Sequence, residues 1–287
     1  MPSPPSPSTP LRVEPGAEAY GGDYQEQQLR KYRQRDSNHW RIRVELAHRL
    51  FDRHAAPRFT EQRPLRVLDV GCSIGTFAVE FAKRGCLCVG VDYDESAIEA
   101  ARRLAREEGV EATFSTMDVF DVAQKHGPFH VAVCFDLFEH LFDDQMGALL
   151  WQLRRGLAPG GVVLFHTFPT QWEYLFHESG GRVGRGLAPF VGLEADAFTR
   201  LTKAYAALHD AWLALNEGAT HSEAIVERQH CNPTTPSRLG AIAQRAGFEI
   251  LDMRLEDLYP FKEETRQRFK GQPAARRNLY GALAAPR

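Results

Sequence analysis

Two aspartates and the compact turn beside them are the residues in this chain best suited to chemistry. Asp69 lies at the end of the apolar run Arg66-Val67-Leu68-Asp69-Val70, which is followed by Gly71-Cys72-Ser73-Ile74-Gly75; Asp92 directly follows the next run, Cys86–Val91. Val67, Leu68 and Val70 suit a buried parallel strand. Gly71 and Gly75 allow backbone geometries and close ligand approach that a Cβ would obstruct. Beyond Gly75, Phe77, Ala78 and Phe81 recur at helical spacing until Lys83-Arg84-Gly85 ends the pattern. A strand, a tight turn and a helix start together present free amides to a ligand.

Three chemistries compete for this turn. A dinucleotide fingerprint needs glycine at 71, 73 and 76, and the chain carries Gly71, Ser73 and Thr76. The same residues spell the G-x-S-x-G of a hydrolase elbow, with Ser73 as nucleophile. Such an elbow follows several earlier strands and an oxyanion loop, and no strand is read before residue 65. The third reading combines Asp69, the turn and Asp92. Here the sequence resembles the class I S-adenosylmethionine (SAM)-dependent methyltransferases, whose first motif is an acidic residue followed by G-x-G-x-G. Asp69, Gly71 and Gly75 match, and Ser73 replaces the middle glycine. The likeness is close over residues 60 to 170 and looser beyond.

The resemblance implies SAM as cofactor, with Asp69, Gly71, Cys72, Gly75, Asp92 and Tyr93 around it. A carboxylate at a strand's C-terminal edge can accept two hydrogen bonds from ribose hydroxyls. Met117-Asp118-Val119 matches the place where the family contacts adenine, which assigns Asp118 and Val119 to the site, with Asp121 as a nearby alternative. The segment Asp136-Leu137-Phe138-Glu139-His140-Leu141 resembles the family's stretch after strand four, and the backbone near Cys134 and Phe135 is implied to meet the methionine end. From the N-terminal helix, Tyr24, His39 or Arg41 could face the site, and Arg41 could pair with the methionine carboxylate.

Methyl transfer needs a base only if the acceptor is protonated. The candidates are His140 after strand four, His166 after strand five and His230 before the last helix, with Asp136 and Glu139 able to orient one of them. No pair of these histidines has metal-ligand spacing.

The elements that must position these groups alternate strand and helix. The order implies an α/β fold: a doubly wound, Rossmann-like, mostly parallel seven-stranded sheet, closed by a C-terminal antiparallel hairpin, with a helical insertion after strand five. Residues 1–19, rich in Pro and Ser, read as a disordered leader and 20–60 as a helical cap. In that cap Trp40, Val44, Ala47 and Phe51 line one helix face. The SAM-binding core is placed at 61–170, a helical insertion or lid at 171–229, and completion of the sheet at 230–287. Helix starts are expected at Ser96 with Glu99, at Asp143 or Asp144, and at Thr235-Pro236. The stripe Phe198, Leu201, Tyr205, Leu208, Trp212 and Leu215 suits a lid or a homodimer interface.

At 287 residues and 43% hydrophobic, the chain can bury a full core. A formal net charge of −2 gives no general attraction to nucleic acid or an anionic membrane. Nor does Asp136-Leu137-Phe138-Glu139 resemble the segment that base amino-methyltransferases carry at that place. Five cysteines without metal-ligand spacing, and no membrane-spanning run, fit a reduced cytoplasmic protein. The expected function is methylation of a small molecule, leaning to oxygen. The alternatives are a serine hydrolase using Ser73 and a non-catalytic SAM-binding interaction protein.

Overall fold

The computed structural model describes residues 23–35, 40–122, 126–168, 170, 234–256 and 278–287. The expected leader, the insertion with its apolar stripe, His39 and His230 lie outside the described residues.

Seven strands form one sheet: β1 (Arg66–Val70), β2 (Leu87–Asp92), β3 (Ala112–Thr116), β4 (Phe129–Phe135), β5 (Leu157–Thr167), β6 (Glu249–Glu256) and β7 (Asn278–Ala284). Their spatial order is β3-β2-β1-β4-β5-β7-β6. The first five pair in parallel, and β7 runs antiparallel between β5 and β6. This is the expected doubly wound sheet with its terminal hairpin. The order reverses between β1 and β4, and ligands of open α/β sheets bind at such a switch, outside the carboxyl ends of the strands.

Among the described residues the helices are α1 (Asp23–Arg33), α2 (Leu46–Leu50), α3 (Thr76–Lys83), α4 (Glu95–Glu107), α5 (Asp143–Gly156) and α6 (Pro236–Arg245). The short α2 lies between two π-helical turns, Arg41–Glu45 and Phe51–Ala55. No described helix is long and apolar enough to cross a membrane. Alternation along β1 and β4 sends Val67, Val131 and Val133 to one face of the sheet, and Leu68, Val70 and Ala132 to the other. Each large apolar side chain so buried contributes about 1.5–3 kcal/mol.

Two helix starts differ from expectation. Asp94, not Ser96, caps α4: its carboxylate accepts the Ser96 amide at 2.8 Å. Two residues earlier than Ser96, the Asp94 carboxylate reaches the orphan amide directly. Phe142 precedes α5 and gives its amide to Gln145 Oε1 at 2.9 Å, while Asp143 accepts from Arg238 Nε of α6 at 2.7 Å. Thr235 caps α6 as expected, accepting the Arg238 amide at 3.2 Å. The β5 strand also begins earlier than its apolar run, at Leu157.

Candidate active site

The turn after β1 is built from left-handed residues. Gly71 has φ +65° and Gly75 φ +77°, and Ser73 between them adopts φ 46° without glycine's freedom. A Cβ on Gly75 would lie 2.6 Å from the Phe114 ring, and one on Gly71 would lie 3.0 Å from Leu137. Both positions therefore need glycine on two counts, conformation and space.

Asp92 joins this turn to the end of β2. Its Oδ2 accepts the Ser73 amide at 2.8 Å and its Oδ1 the Asp94 amide at 3.1 Å. Burial raises its carboxyl above the ordinary value, and those backbone amides oppose the shift. Tyr93, the next residue, is 61% exposed at the same edge. Asp118 is exposed beyond β3 and accepts the Phe120 amide at 3.0 Å, and Val119 is half-buried beside it.

Asp69 and Cys72 face inward rather than toward the edge. Asp69 is 2% exposed and accepts the Ala78 amide at 3.0 Å, which ties β1 to the first turn of α3. Burial, opposed by that amide, lifts its carboxyl to about 8. Cys72 gives its own amide to Val91 O at 2.9 Å, and burial pushes its thiol well above the ordinary range. These two residues shape the turn from behind.

A second polar cluster closes the edge at β4 and β5. Asp136, directly after β4, sits at φ 53°. Its amide donates to His166 O at 2.8 Å, its Oδ1 accepts from His166 Nδ1 at 2.6 Å, and its Oδ2 accepts from Arg43 Nε. Burial alone would raise this carboxyl, but Arg43 and His166 together hold it well below the usual range. The Asp136 side chain remains 30% exposed, whereas His166 is fully buried. The other ring nitrogen of His166 meets Asn278 Oδ1 of β7 at 2.9 Å. Three residues on, Glu139 Oε2 accepts from Thr167 Oγ1 at 2.8 Å. Burial, then the charge of Asp136, pushes the Glu139 carboxyl well above its ordinary value.

His140 follows at the end of a 3-10 turn, Phe138–His140, and is half-buried. Phe135 stacks between Phe77 and His166, with ring centroids 4.7 and 5.7 Å away. Tyr24 of α1 enters the same region: burial, then the charge of Asp136, raises its phenol above the ordinary value, and Asp92 and Arg43 also act on it. Its neighbour Gln25 donates to Asp94 Oδ2 at 3.0 Å, which seats the first turn of α1 beside the end of β2.

The structure thus brings together Gly71, Gly75, Asp92, Tyr93 and Phe135, with Asp136 and His140 beside them. Two participants were not singled out from sequence, Arg43 and Asn278. Among the described side chains, the arginine joined to the edge is Arg43; the side chain of Arg41 lies outside the described residues. The histidine that Asp136 orients is His166. With both its nitrogens engaged, no imidazole of that pair is left to activate Ser73, as a hydrolase would require.

Comparison with known proteins agrees with this geometry. The profile of the methyltransferase domain family matches residues 37–253, well over half of the chain. The ubiquinone biosynthesis O-methyltransferase of Alkalilimnicola ehrlichii is 34% identical over 103 residues, 36% of this chain and 41% of that protein. The Nitrosococcus oceani protein of the same name is 34% identical over 127 residues, 43% of this chain and 52% of its own. The match spans about half the length of these relatives. Among solved structures, the plantazolicin methyltransferase BpumL in complex with SAH has a TM-score of 0.55 at 16% identity, covering 96% of each chain. A TehB-like SAM-dependent methyltransferase from Corynebacterium glutamicum has a TM-score of 0.51 at 15% identity, covering 92% of this chain and 98% of that one. The structural likenesses concern the fold; the family profile concerns the sequence itself, and by it the chain belongs to the methyltransferase domain family.

Proposed function

We propose that this chain is a SAM-dependent methyltransferase acting on a small-molecule acceptor, with oxygen as the favoured methyl-accepting atom. The observation that carries the reading is the Ser73–Asp92 bond, which joins the glycine turn and the Asp92 carboxylate on one sheet edge. The left-handed Gly71 and Gly75 keep the turn compact against Leu137 and Phe114, and with the Asp92 carboxylate beside it the residues present fit the cofactor. SAM, when bound, supplies an activated methyl group for in-line displacement.

The chain's own residues have the following roles in this reading. Asp92 accepts from the ribose hydroxyls, and Tyr93 offers an aromatic face to the adenine, with Asp118 and Val119 at its rim. Arg43 and Asp136 carry the opposite charges that an α-amino acid needs, guanidinium for carboxylate and carboxylate for ammonium. Arg43 takes the role that the sequence assigned to Arg41. Alignment of donor and acceptor then provides much of the rate, for which oriented intramolecular reactions give an upper range of about 7–11 kcal/mol. His140 is the candidate base. His166 is assigned a supporting role because its nitrogens are occupied, and His230 remains a candidate on sequence grounds.

Oxygen is favoured because the curated relatives are named O-methyltransferases. The net charge of −2 favours a small acceptor over nucleic acid. Residues 198–215 remain the candidate homodimer surface or lid. Calorimetry with S-adenosylhomocysteine tests the cofactor site. Untargeted mass spectrometry of host metabolites incubated with protein and SAM tests turnover: a product heavier by one methyl supports it, and cofactor binding without any such product points to a non-catalytic binding protein.

A further inference from the structure

The cluster behind Asp136 extends farther than the reaction described above requires. Asp136 is a non-glycine residue in the left-handed region, which L-residues adopt only rarely. It is held there by bonds from two directions. His166 accepts the Asp136 amide with its carbonyl and donates to the carboxylate with Nδ1, and Arg43 donates from the N-terminal helical segment. Since an ionised carboxylate only accepts, Nδ1 must carry the proton of that bond. Asn278 then fixes the ring from the far side: its side-chain amide meets Nε2, and with its otherwise unpartnered nitrogen turned to the ring it donates to that unprotonated atom. Successive residues of a strand face opposite sides of the sheet. His166 and Thr167 use this to grip both carboxylates of one turn, Asp136 and Glu139. The turn is thereby clamped to β5, and the imidazole itself is fully buried.

We infer that His166 is a positioning residue: it orients the Asp136 carboxylate toward the amino-acid end of the cofactor, and Asn278 of β7 sets its ring. The inference rests on the methyltransferase reading. Arg43 alone would draw the carboxylate toward itself, and the exposed part of Asp136 would no longer be presented to an incoming ammonium. His166 supplies the second donor that balances that pull. Recognition of the charged amino-acid end therefore depends on a histidine that never contacts it, whereas recognition of the nucleoside end, at Asp92 and Tyr93, does not.

The test uses the full chain and two probes, S-adenosylhomocysteine and methylthioadenosine, which lacks the amino-acid end. Binding is measured by calorimetry for wild type, His166→Leu and His166→Asn. In His166→Leu, S-adenosylhomocysteine should weaken roughly 10- to 100-fold, the change expected for a lost hydrogen bond to a charged group, while methylthioadenosine changes little. His166→Asn keeps an N–H near the Nδ1 position and should restore most of the affinity. Circular dichroism identifies a variant that fails to fold, in which case the Asn variant and Asn278→Ala, expected to show a smaller selective loss, decide the matter. Equal weakening of both probes, or no weakening of either, overturns the inference. Failure of the wild type to bind either probe overturns the cofactor reading instead.

Discussion

Ser73 donates its amide to Asp92 across 2.8 Å, so the turn after β1 and the end of β2 form one rigid edge. The two residues are 19 positions apart in the chain, and the β1–β2 pairing brings them together. A hydrogen bond to a charged acceptor contributes about 1.5–3 kcal/mol. Asp92→Ala should therefore loosen the turn and remove the acceptor for the ribose hydroxyls together. We expect micromolar affinity for S-adenosylhomocysteine in the wild type, on the order of 8 kcal/mol, and no binding of NAD. Asp92→Ala should weaken the former severely, and Gly71→Val should abolish it while circular dichroism stays native. Calorimetry that finds tight NAD binding and none for S-adenosylhomocysteine would end this reading.

Ser73 separates the methyltransferase from the hydrolase. Its φ of 46° suits glycine better than serine, and the turn asks only for its backbone amide. Ser73→Gly should keep affinity for S-adenosylhomocysteine within about threefold, since the amide to Asp92 survives and the relief of strain offsets glycine's extra entropy loss of about 0.5–1 kcal/mol. A fluorophosphonate probe should leave the wild type unlabelled. Labelling that vanishes in Ser73→Gly would restore the hydrolase.

Asp69 makes a prediction about pH. Its folded carboxyl lies at about 8, far above its ordinary value of 3.8. Between those values the folded state holds a proton that the unfolded chain releases. Stability from this group therefore falls as pH rises through that window and levels off above it. Asp69→Asn keeps an oxygen for the Ala78 amide and has no proton to lose. Thermal melts should show the variant gaining on the wild type as pH moves from 5 to 8 (roughly the upper part of the window). Parallel pH profiles for the two proteins would refute the assignment.

Much of this site could be read in the sequence because its signals are local. Gly71, Gly75 and Asp92 lie at the ends of apolar runs, where turn chemistry shows directly. β1 and β2 fall on the two apolar runs that announced them, at Arg66–Val70 and Leu87–Asp92. Arg43 lies in the π-helical turn at Arg41–Glu45. The spacing of Val44, Ala47 and Phe51 marked the buried face of this segment, but no local pattern says which flanking arginine meets Asp136. The His166–Asn278 contact spans 112 residues and joins two strands that become neighbours only when the hairpin inserts β7 beside β5. No local pattern announces such a pair. The inward position of Asp69 follows from strand alternation, which puts it on the face of Val67; the resemblance, which drew it to the cofactor, pointed elsewhere.

The catalytic base is the last question, and His140 is the residue on which it turns. It ends the 3-10 turn whose start is fixed by Asp136 and whose middle is fixed by Glu139 on Thr167. The backbone leading to it is therefore clamped on the side away from the open edge, while the imidazole is only half-buried. That arrangement suits a group that must meet an acceptor hydroxyl and take its proton. General bases contribute about 10²–10⁴-fold, so His140→Ala should lower turnover of the acceptor found by mass spectrometry by that order. Affinity for SAM should stay nearly unchanged, because the cofactor contacts lie on Asp92, Arg43 and the glycine turn. A histidine base must be unprotonated to act, so the acidic limb of the pH–rate profile should disappear in this variant. His166→Asn should keep that limb, since its role is to hold Asp136. A His140→Ala enzyme with near-normal turnover at neutral pH would leave catalysis to alignment, or to His230.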